Sequence, residues 1–292
     1  MGDNTGIEWA DATHNFLYGC DPRSPGCKNC YARFSVRRQE QRMPGLTVMD
    51  PRRGLIWTGK IAFAEHRLDQ PVRWGRGRKV FVNSLSDLFH RNVKDEWIEA
   101  GFGVYAGSPR HTAQILTKRE DRMVEWYDKM GGMKDPAMHC IETAAEIMAK
   151  HYDTSVAKQI SRMTPTSVWP LPNVWMGVSV EDQMFADIRI PALKKIPAAV
   201  HFLSMEPLIG EVNSLDFDGI EWVIVGGESG PGARPMKPEW ARFIRDAALS
   251  SGTPLFMKQW GNFDSAGTHH ASKKETGCEI DGRDYKQWPE AA

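Results

Sequence analysis

Three cysteines within eleven residues are the feature of this 292-residue chain best suited to chemistry. Cys20-x6-Cys27-x2-Cys30 puts three thiols on one short segment, and Pro22, Pro25 and Gly26 make that segment a turning loop. Three soft sulfur donors directed at one centre suit zinc or an iron–sulfur cluster, and they leave one coordination position open. In a structural zinc site a fourth side chain must close that position, and His14 or Asp21 is near enough in sequence to do so. In a four-iron cluster the open iron is instead free to bind a small molecule. Cys140 and Cys278 stand alone and read as bystander thiols, and an odd total of five argues against a disulfide framework.

The other residues with chemical reach stand at the ends of short apolar runs. Those runs are Lys79–Asn83, His111–Thr117, Val174–Val180, Val200–Ser204, Glu221–Val225 and Pro254–Met257. They are continuous rather than alternating, the pattern of parallel strands buried on both faces. Their endings read Asn83-Ser84-Leu85-Ser86-Asp87, Thr117-Lys118-Arg119, Ser179-Val180-Glu181-Asp182, Ser204-Met205-Glu206, Gly226-Gly227-Glu228-Ser229 and Lys258-Gln259-Trp260. One polar ending is an ordinary turn; six on one sheet predict a polar ligand cavity, because ligands gather at the carboxyl ends of parallel strands. There, Glu181, Glu206 and Glu228 can hold an ammonium group or cap the next helix. Lys118, Arg119, Arg234 and Lys258 can neutralise a carboxylate or phosphate, or be plain surface charge. The loop from Gly226 to Gly232 is either an anion-binding nest or a bare turn. It matches neither the dinucleotide fingerprint nor the phosphate-loop spacing.

Helices must supply the rest of the frame. Their pattern is visible at Tyr31–Arg42, Lys94–Ala106, Arg119–Met130, Thr143–Lys150, Glu181–Lys194 (with a break expected at Pro191) and Pro238–Ser250. A first strand at His14–Tyr18 brings the count to seven. Repeated strand–loop–helix order predicts an α/β fold with a parallel sheet, either doubly wound or a closed or partial barrel. One domain over residues 1–292 is expected, with insertions near 52–78 and 131–172.

Composition narrows the function classes. At 41% hydrophobic and 25% charged the chain is globular, not disordered. The start lacks a basic segment followed by an apolar run, and nothing approaches the ~18 apolar residues of a spanning helix, so a cytosolic protein without a membrane partner is expected. Net charge is zero, yet Tyr31–Val80 carries twelve basic residues against Glu40, Asp50, Glu65 and Asp69, a local +8. Such a run is either a solvated face or a polyanion-binding face. Trp57 and Trp74 within it are candidates for stacking on bases. His66, His90 and His269-His270 have no metal-ligand spacing and read as surface or structural. No nucleophile elbow or Ser/His/Asp order supports a hydrolase.

Several segments resemble a known family when taken together. They are Ile7-Glu8-Trp9-Ala10-Asp11-Ala12-Thr13, Ser24-Pro25-Gly26-Cys27-Lys28-Asn29-Cys30-Tyr31-Ala32, Phe81-Val82-Asn83-Ser84-Leu85-Ser86-Asp87-Leu88-Phe89, Gly177-Val178-Ser179-Val180-Glu181, Phe202-Leu203-Ser204-Met205-Glu206-Pro207 and Val225-Gly226-Gly227-Glu228-Ser229-Gly230. The chain resembles a phage-encoded family of radical S-adenosyl-L-methionine (SAM) enzymes, from about residue 6 to 262 and more weakly to Asp281-Gly282-Arg283. The resemblance implies a partial TIM barrel and a [4Fe-4S] cluster on Cys20, Cys27 and Cys30. It further implies SAM bound through its amine and carboxylate, and cleaved by one electron to a 5′-deoxyadenosyl radical. An external electron donor is then a partner.

Asn83, Ser84, Asp87, Ser179, Glu181, Gly226, Gly227 and Glu228 become the residues expected around SAM, with Glu206 and Lys258 at the reacting substrate. The reaction implied is isomerisation of a glycyl group on thymine in phage DNA, from nitrogen-linked to carbon-linked. The substrate is modified DNA or a thymidine nucleotide, and a base within duplex DNA must be swung out to reach the cavity. The first cysteine gap is six rather than the wider superfamily's three, and Asn29 stands where that superfamily usually has an aromatic residue. Radical chemistry on another nucleotide or DNA lesion, and a zinc-stabilised nucleic-acid-binding protein, are the alternatives.

Overall fold

The computed structural model describes residues 5–151 and 169–290. Seven strands form the main sheet: β1 (Ala12–His14), β6 (Lys79–Val82), β7 (Thr112–Thr117), β8 (Val174–Ser179), β9 (Val200–Met205), β10 (Trp222–Gly226) and β11 (Leu255–Gln259). They are ordered as they occur in the chain, β1-β6-β7-β8-β9-β10-β11. The pairs β1/β6, β6/β7, β9/β10 and β10/β11 are parallel. Order decides between the two α/β windings left open by the sequence. A doubly wound sheet reverses its strand order at a switch point. Here it never reverses, and right-handed crossovers in one direction put every helix on the same face, as in a (β/α) barrel. Seven strands with no pairing of β1 to β11 among the described residues make the barrel incomplete.

Two small antiparallel sheets accompany it: β2 (Leu17–Tyr18) with β5 (Ala62–Phe63), and the hairpin of β3 (Thr47–Asp50) with β4 (Gly54–Trp57). The single strand expected at His14–Tyr18 is therefore split. The Asn83 side-chain oxygen accepts from Phe16 N and Leu17 N, drawing that backbone away from the ladder. Helices are α1 (Tyr31–Arg37), α2 (Gln70–Arg73), α3 (Asp95–Ala106), α4 (Glu120–Gly131), α5 (Pro136–His151), α6 (Gln183–Leu193) and α7 (Pro238–Ser251). α1 ends five residues before the expected Arg42, in a run of turns. α5 starts earlier than the expected Thr143, at Pro136, whose missing N–H costs nothing in a first turn. α6 runs through Pro191 without a break; the ring is on the exposed side, and Asp182 caps the helix by accepting from Phe185 N. The expected insertion at 52–78 holds β4, β5 and α2. Of that at 131–172, α5 is described, while residues 152–168 lie outside the described residues.

The chain forms two compact units: Met1–Asp21, Ala32–Trp175 and Ile196–Ala199; and Pro22–Tyr31, Met176–Lys195 and Val200–Ala292. In the first, register places His14, Val82 and Ile115 on one face. His14 reaches Tyr105 of α3 on that face, which is therefore the helix-covered side. Phe81 and Gln114 share the opposite face, where Trp9 packs on Phe81 with ring centroids 4.6 Å apart. In the second, residues after β11 cover its free edge: Met257 N donates to Tyr285 O and Gln287 N to Leu255 O. Trp288 stacks on Trp222, centroids 4.8 Å apart. No helix among the described residues is long and apolar enough to cross a membrane.

Candidate active-site rim

The cysteine loop is held from both sides within the second unit. Its middle, Pro25–Cys27, is one turn of 3-10 helix closed by Cys27 N to Ser24 O and Lys28 N to Pro25 O. On one side Ser24 Oγ donates to Glu181 Oε1 at 2.6 Å. Glu181 has no exposed surface; its other oxygen accepts from the equally buried Arg189 at 2.8 Å, and Arg189 also donates to Ser179 O at 2.7 Å. Gly26 lies so close that a Cβ there would stand 2.7 Å from the Glu181 carboxylate. Only glycine permits that approach. On the other side Asn29 Nδ2 donates to Glu228 Oε2 at 2.9 Å and to Gly232 O at 2.8 Å. Glu228 also takes the Arg234 guanidinium through both oxygens, at 2.9 and 2.6 Å, and Arg234 reaches Pro25 O at 3.1 Å. Burial would raise the Glu228 carboxyl, but the hydrogen bonds from Arg234 and Asn29 outweigh it and hold it below the usual carboxylate range. Glu181 and Glu228, expected around a small-molecule amine, thus anchor the loop that carries Cys27 and Cys30.

Glu206 and Lys258 meet farther along the same unit. Glu206 follows β9 directly, and Lys258 stands in β11 where the β10/β11 register shifts past Val225, so that Gly226 pairs with Gln259. Lys258 Nζ donates to Glu206 Oε1 at 2.6 Å, with both side chains mostly but not wholly buried. Gly226 makes room for this pair, since a Cβ there would lie 3.2 Å from Glu206 Cγ. Gly227 is tighter still: its Cβ would fall 1.9 Å from the Trp260 carbonyl oxygen. Close packing accounts for both glycines of this strand end.

In the first unit the residues after β6 are spent on local structure. Asn83 adopts a left-handed backbone (φ 57°) and gives its oxygen to the N–H groups of Phe16 and Leu17, between β1 and β2; its buried Nδ2 has no hydrogen-bond partner. Ser84 Oγ donates to Asn15 Oδ1 at 3.1 Å. Asp87 accepts from Thr117 Oγ1 at 2.7 Å and Lys118 N at 3.0 Å, joining the ends of β6 and β7. Beside it Asp21, next in sequence to Cys20, is bound by Arg119 and by Arg91 at 2.8 Å, with His90 Nε2 3.3 Å away. Burial would raise Asp21, but Arg119 chiefly, with His90 and Arg91, keeps it low. Burial lowers His90, aided by Arg119. Arg119, whose charge alone read as surface, is 7% exposed.

A fourth metal ligand from His14 is corrected by the same unit. His14 is wholly buried, with Nδ1 3.2 Å from the Tyr105 hydroxyl and Nε2 2.8 Å from Arg67 O, and burial lowers it to about 3. Both ring nitrogens are occupied. Asp21 is likewise committed to its guanidinium partners. Trp57 and Trp74, each 7% exposed, are core residues rather than stacking platforms.

Cys20, Cys27 and Cys30 are in no disulfide and are of intermediate exposure. Arg23 N lies 3.5 Å from Cys27 Sγ in donor geometry, and Cys20 Sγ lies 3.4 Å from Asp21 O. Three soft thiolates, one with a backbone N–H on its sulfur, suit an iron–sulfur cluster by donor chemistry. Among the described residues, no three His, Cys, Asp or Glu side chains stand in metal-binding geometry. The three cysteines are thus candidates by chemistry and chain position alone. Ser24, Asn29, Arg189 and Arg234 were not singled out as loop anchors by the sequence. The one signal for any of them was Asn29, an amide where the wider family that the sequence resembles usually has an aromatic ring.

Fold and loop together define an incomplete (β/α) barrel with a cysteine-bearing loop before its first helix. The chain belongs to the family described as "Protein of unknown function (DUF5131)", whose model matches residues 4–289. No curated protein matches it. Among solved structures it is similar to a point mutant of spore photoproduct lyase, with a TM-score of 0.40 and 9% sequence identity. That match covers 89% of this chain and 66% of the other, so the chain spans less than two thirds of that protein's length.

Proposed function

We propose that this protein is a radical SAM enzyme that uses a [4Fe-4S] cluster on Cys20, Cys27 and Cys30. Its substrate in this reading is glycyl-modified thymidine in phage DNA, and its reaction is conversion of the nitrogen-linked glycyl group to the carbon-linked one. The observation that carries the reading is the three-cysteine loop itself, three cysteines outside any disulfide between the first strand of a parallel sheet and α1. The sequence resemblance supplies the cofactor and the substrate.

Cluster and SAM, when bound, supply one-electron chemistry able to break an unactivated C–H bond, which no side chain deprotonates at a useful rate. The chain's own residues do the rest. Glu181 and Glu228 fix the backbone on which Cys27 and Cys30 ride, through Ser24, Asn29 and Arg234. The Lys258–Glu206 pair presents an ammonium and a carboxylate 2.6 Å apart. A glycyl group carries the opposite two charges, so each can exchange its partner for the substrate and orient it by two charge-assisted bonds.

Anaerobic purification followed by metal and sulfide analysis tests the reading. About four irons per chain are expected, lost in Cys27→Ser, with 5′-deoxyadenosine released on reduction with SAM. Mass spectrometry of glycyl-modified DNA after turnover should show an isomer of unchanged mass and altered fragmentation. A colourless protein holding one zinc overturns it.

A further inference from the structure

We infer that the outer surface of α1 and the β3–β4 hairpin is a docking site for single-stranded DNA. The choice of DNA over other polyanions rests on the function proposed above; the surface itself rests on different residues. On α1, Tyr31 and Phe34 stand at i and i+3 and are 55% and 48% exposed, and the exposed Arg38 comes directly after the helix with its N–H bonded to Phe34 O. Ala32 and Val36 are buried, so the aromatic face is the outer one. Val48 and Met49 on the hairpin are 46% and 62% exposed. Arg33 ties helix to hairpin by donating to Leu55 O at 2.9 Å. Four of the seven exposed large apolar side chains among the described residues therefore stand on these two elements, the others being Met184, Ile188 and Leu249.

Their charge complements a phosphate backbone. Tyr31–Trp57 contains Arg33, Arg37, Arg38, Arg42, Arg52 and Arg53 against only Glu40 and Asp50. Both acids are already committed. Glu40 accepts from Gly45 N and pairs with Arg37; Asp50 accepts from Arg52 N and Arg53 N. Both Asp50 bonds are to backbone, which leaves Arg52 and Arg53 exposed at the hairpin tip, and Arg38 and Arg42 are exposed in the segment after α1.

Exposed rings interleaved with arginines can stack on bases while the arginines track phosphates. Stacking needs a base face that a duplex keeps covered, so an unpaired strand is the occupant that uses both features. A seven-residue helix is too short to lay a continuous apolar face into a lipid surface.

Fluorescence anisotropy of the full chain with a labelled mixed-sequence single-stranded oligonucleotide tests the inference without SAM or reductant. Phe34→Ala should weaken binding about tenfold, and Phe34→Trp should restore it. Arg38→Ala/Arg52→Ala/Arg53→Ala should flatten the dependence of log affinity on log salt by about 2, near 0.7 per lost phosphate contact. Lys274→Ala/Arg283→Ala, exposed changes elsewhere, should leave both unchanged. Thermal melts that superpose on the unsubstituted protein exclude misfolding. The inference is overturned if the unsubstituted protein does not bind the strand or if the α1 and hairpin variants bind it equally well. Stronger binding to the matching duplex, or to phosphatidylserine vesicles, also overturns it. Iron content separates this outcome from the function above: DNA binding lost with full iron leaves the cluster reading standing, and DNA binding without iron leaves only the docking surface.

Discussion

Removing the Glu181 carboxylate should loosen the cysteine loop and destabilise the fold by a definite amount. Glu181 and Arg189 are both without exposed surface and meet at 2.8 Å. In Glu181→Leu the guanidinium keeps the Ser179 carbonyl but loses its counter-charge, and Ser24 loses its acceptor. Breaking a buried pair from one side costs about 3–5 kcal/mol, because an uncompensated charge stays in the interior. For a chain of this size that is a fall in Tm of about 5–8 °C. Replacing both partners, Glu181→Leu/Arg189→Met, removes the stranded charge and should recover most of the loss. Differential scanning calorimetry of the four proteins in the cycle measures the coupling. Hydrogen exchange gives a second readout: the Cys27 and Lys28 amides, bonded to Ser24 O and Pro25 O, should exchange faster in Glu181→Leu. If the single change shifts Tm by less than about 3 °C, or the double variant is no better than the single, the ion pair is not what holds this region.

Other outcomes follow from the same geometry. His14, lowered by burial to about 3 from 6.5, takes up a proton on unfolding at any pH between those values. Stability is therefore complete above pH 6.5 and falls as pH drops, by about 3 kcal/mol at pH 4, and His14→Gln should flatten urea midpoints measured across that window. Gly227→Ala drives a Cβ into the Trp260 carbonyl at 1.9 Å and should lower stability by about 1–3 kcal/mol in chemical denaturation. Gly131→Ala, at the end of α4 with nothing within 4 Å, should instead gain up to about 1 kcal/mol. Lys258→Met should cut product formation about a hundredfold in the mass-spectrometric assay while leaving iron content unchanged; unaltered turnover would remove Lys258 from the site.

Periodicity and apolar runs made most of the secondary structure legible. Each of the six expected strands from Lys79 onward is present to within one or two residues, because a strand buried on both faces needs an unbroken apolar run and little else in this chain has one. The split of the first strand was not legible. It depends on Asn83, whose side chain reaches Phe16 and Leu17 across 67 and 66 residues of sequence. Burial of Trp57 and Trp74 was equally hidden: a tryptophan among arginines reads the same whether its ring faces the core or the solvent.

By itself, the sequence determined an α/β chain with parallel strands, a loop bearing three thiols, and polar residues at the strand ends, all properties of short windows. Tertiary structure alone decided the unreversed strand order, hence the barrel winding, and the work of the carboxylates. Ser24 meets Glu181 across 157 residues and Asn29 meets Glu228 across 199. No local pattern encodes such a pairing, since a carboxylate that anchors a loop and one that binds a ligand have the same composition around them and differ only in what the fold brings within 3 Å.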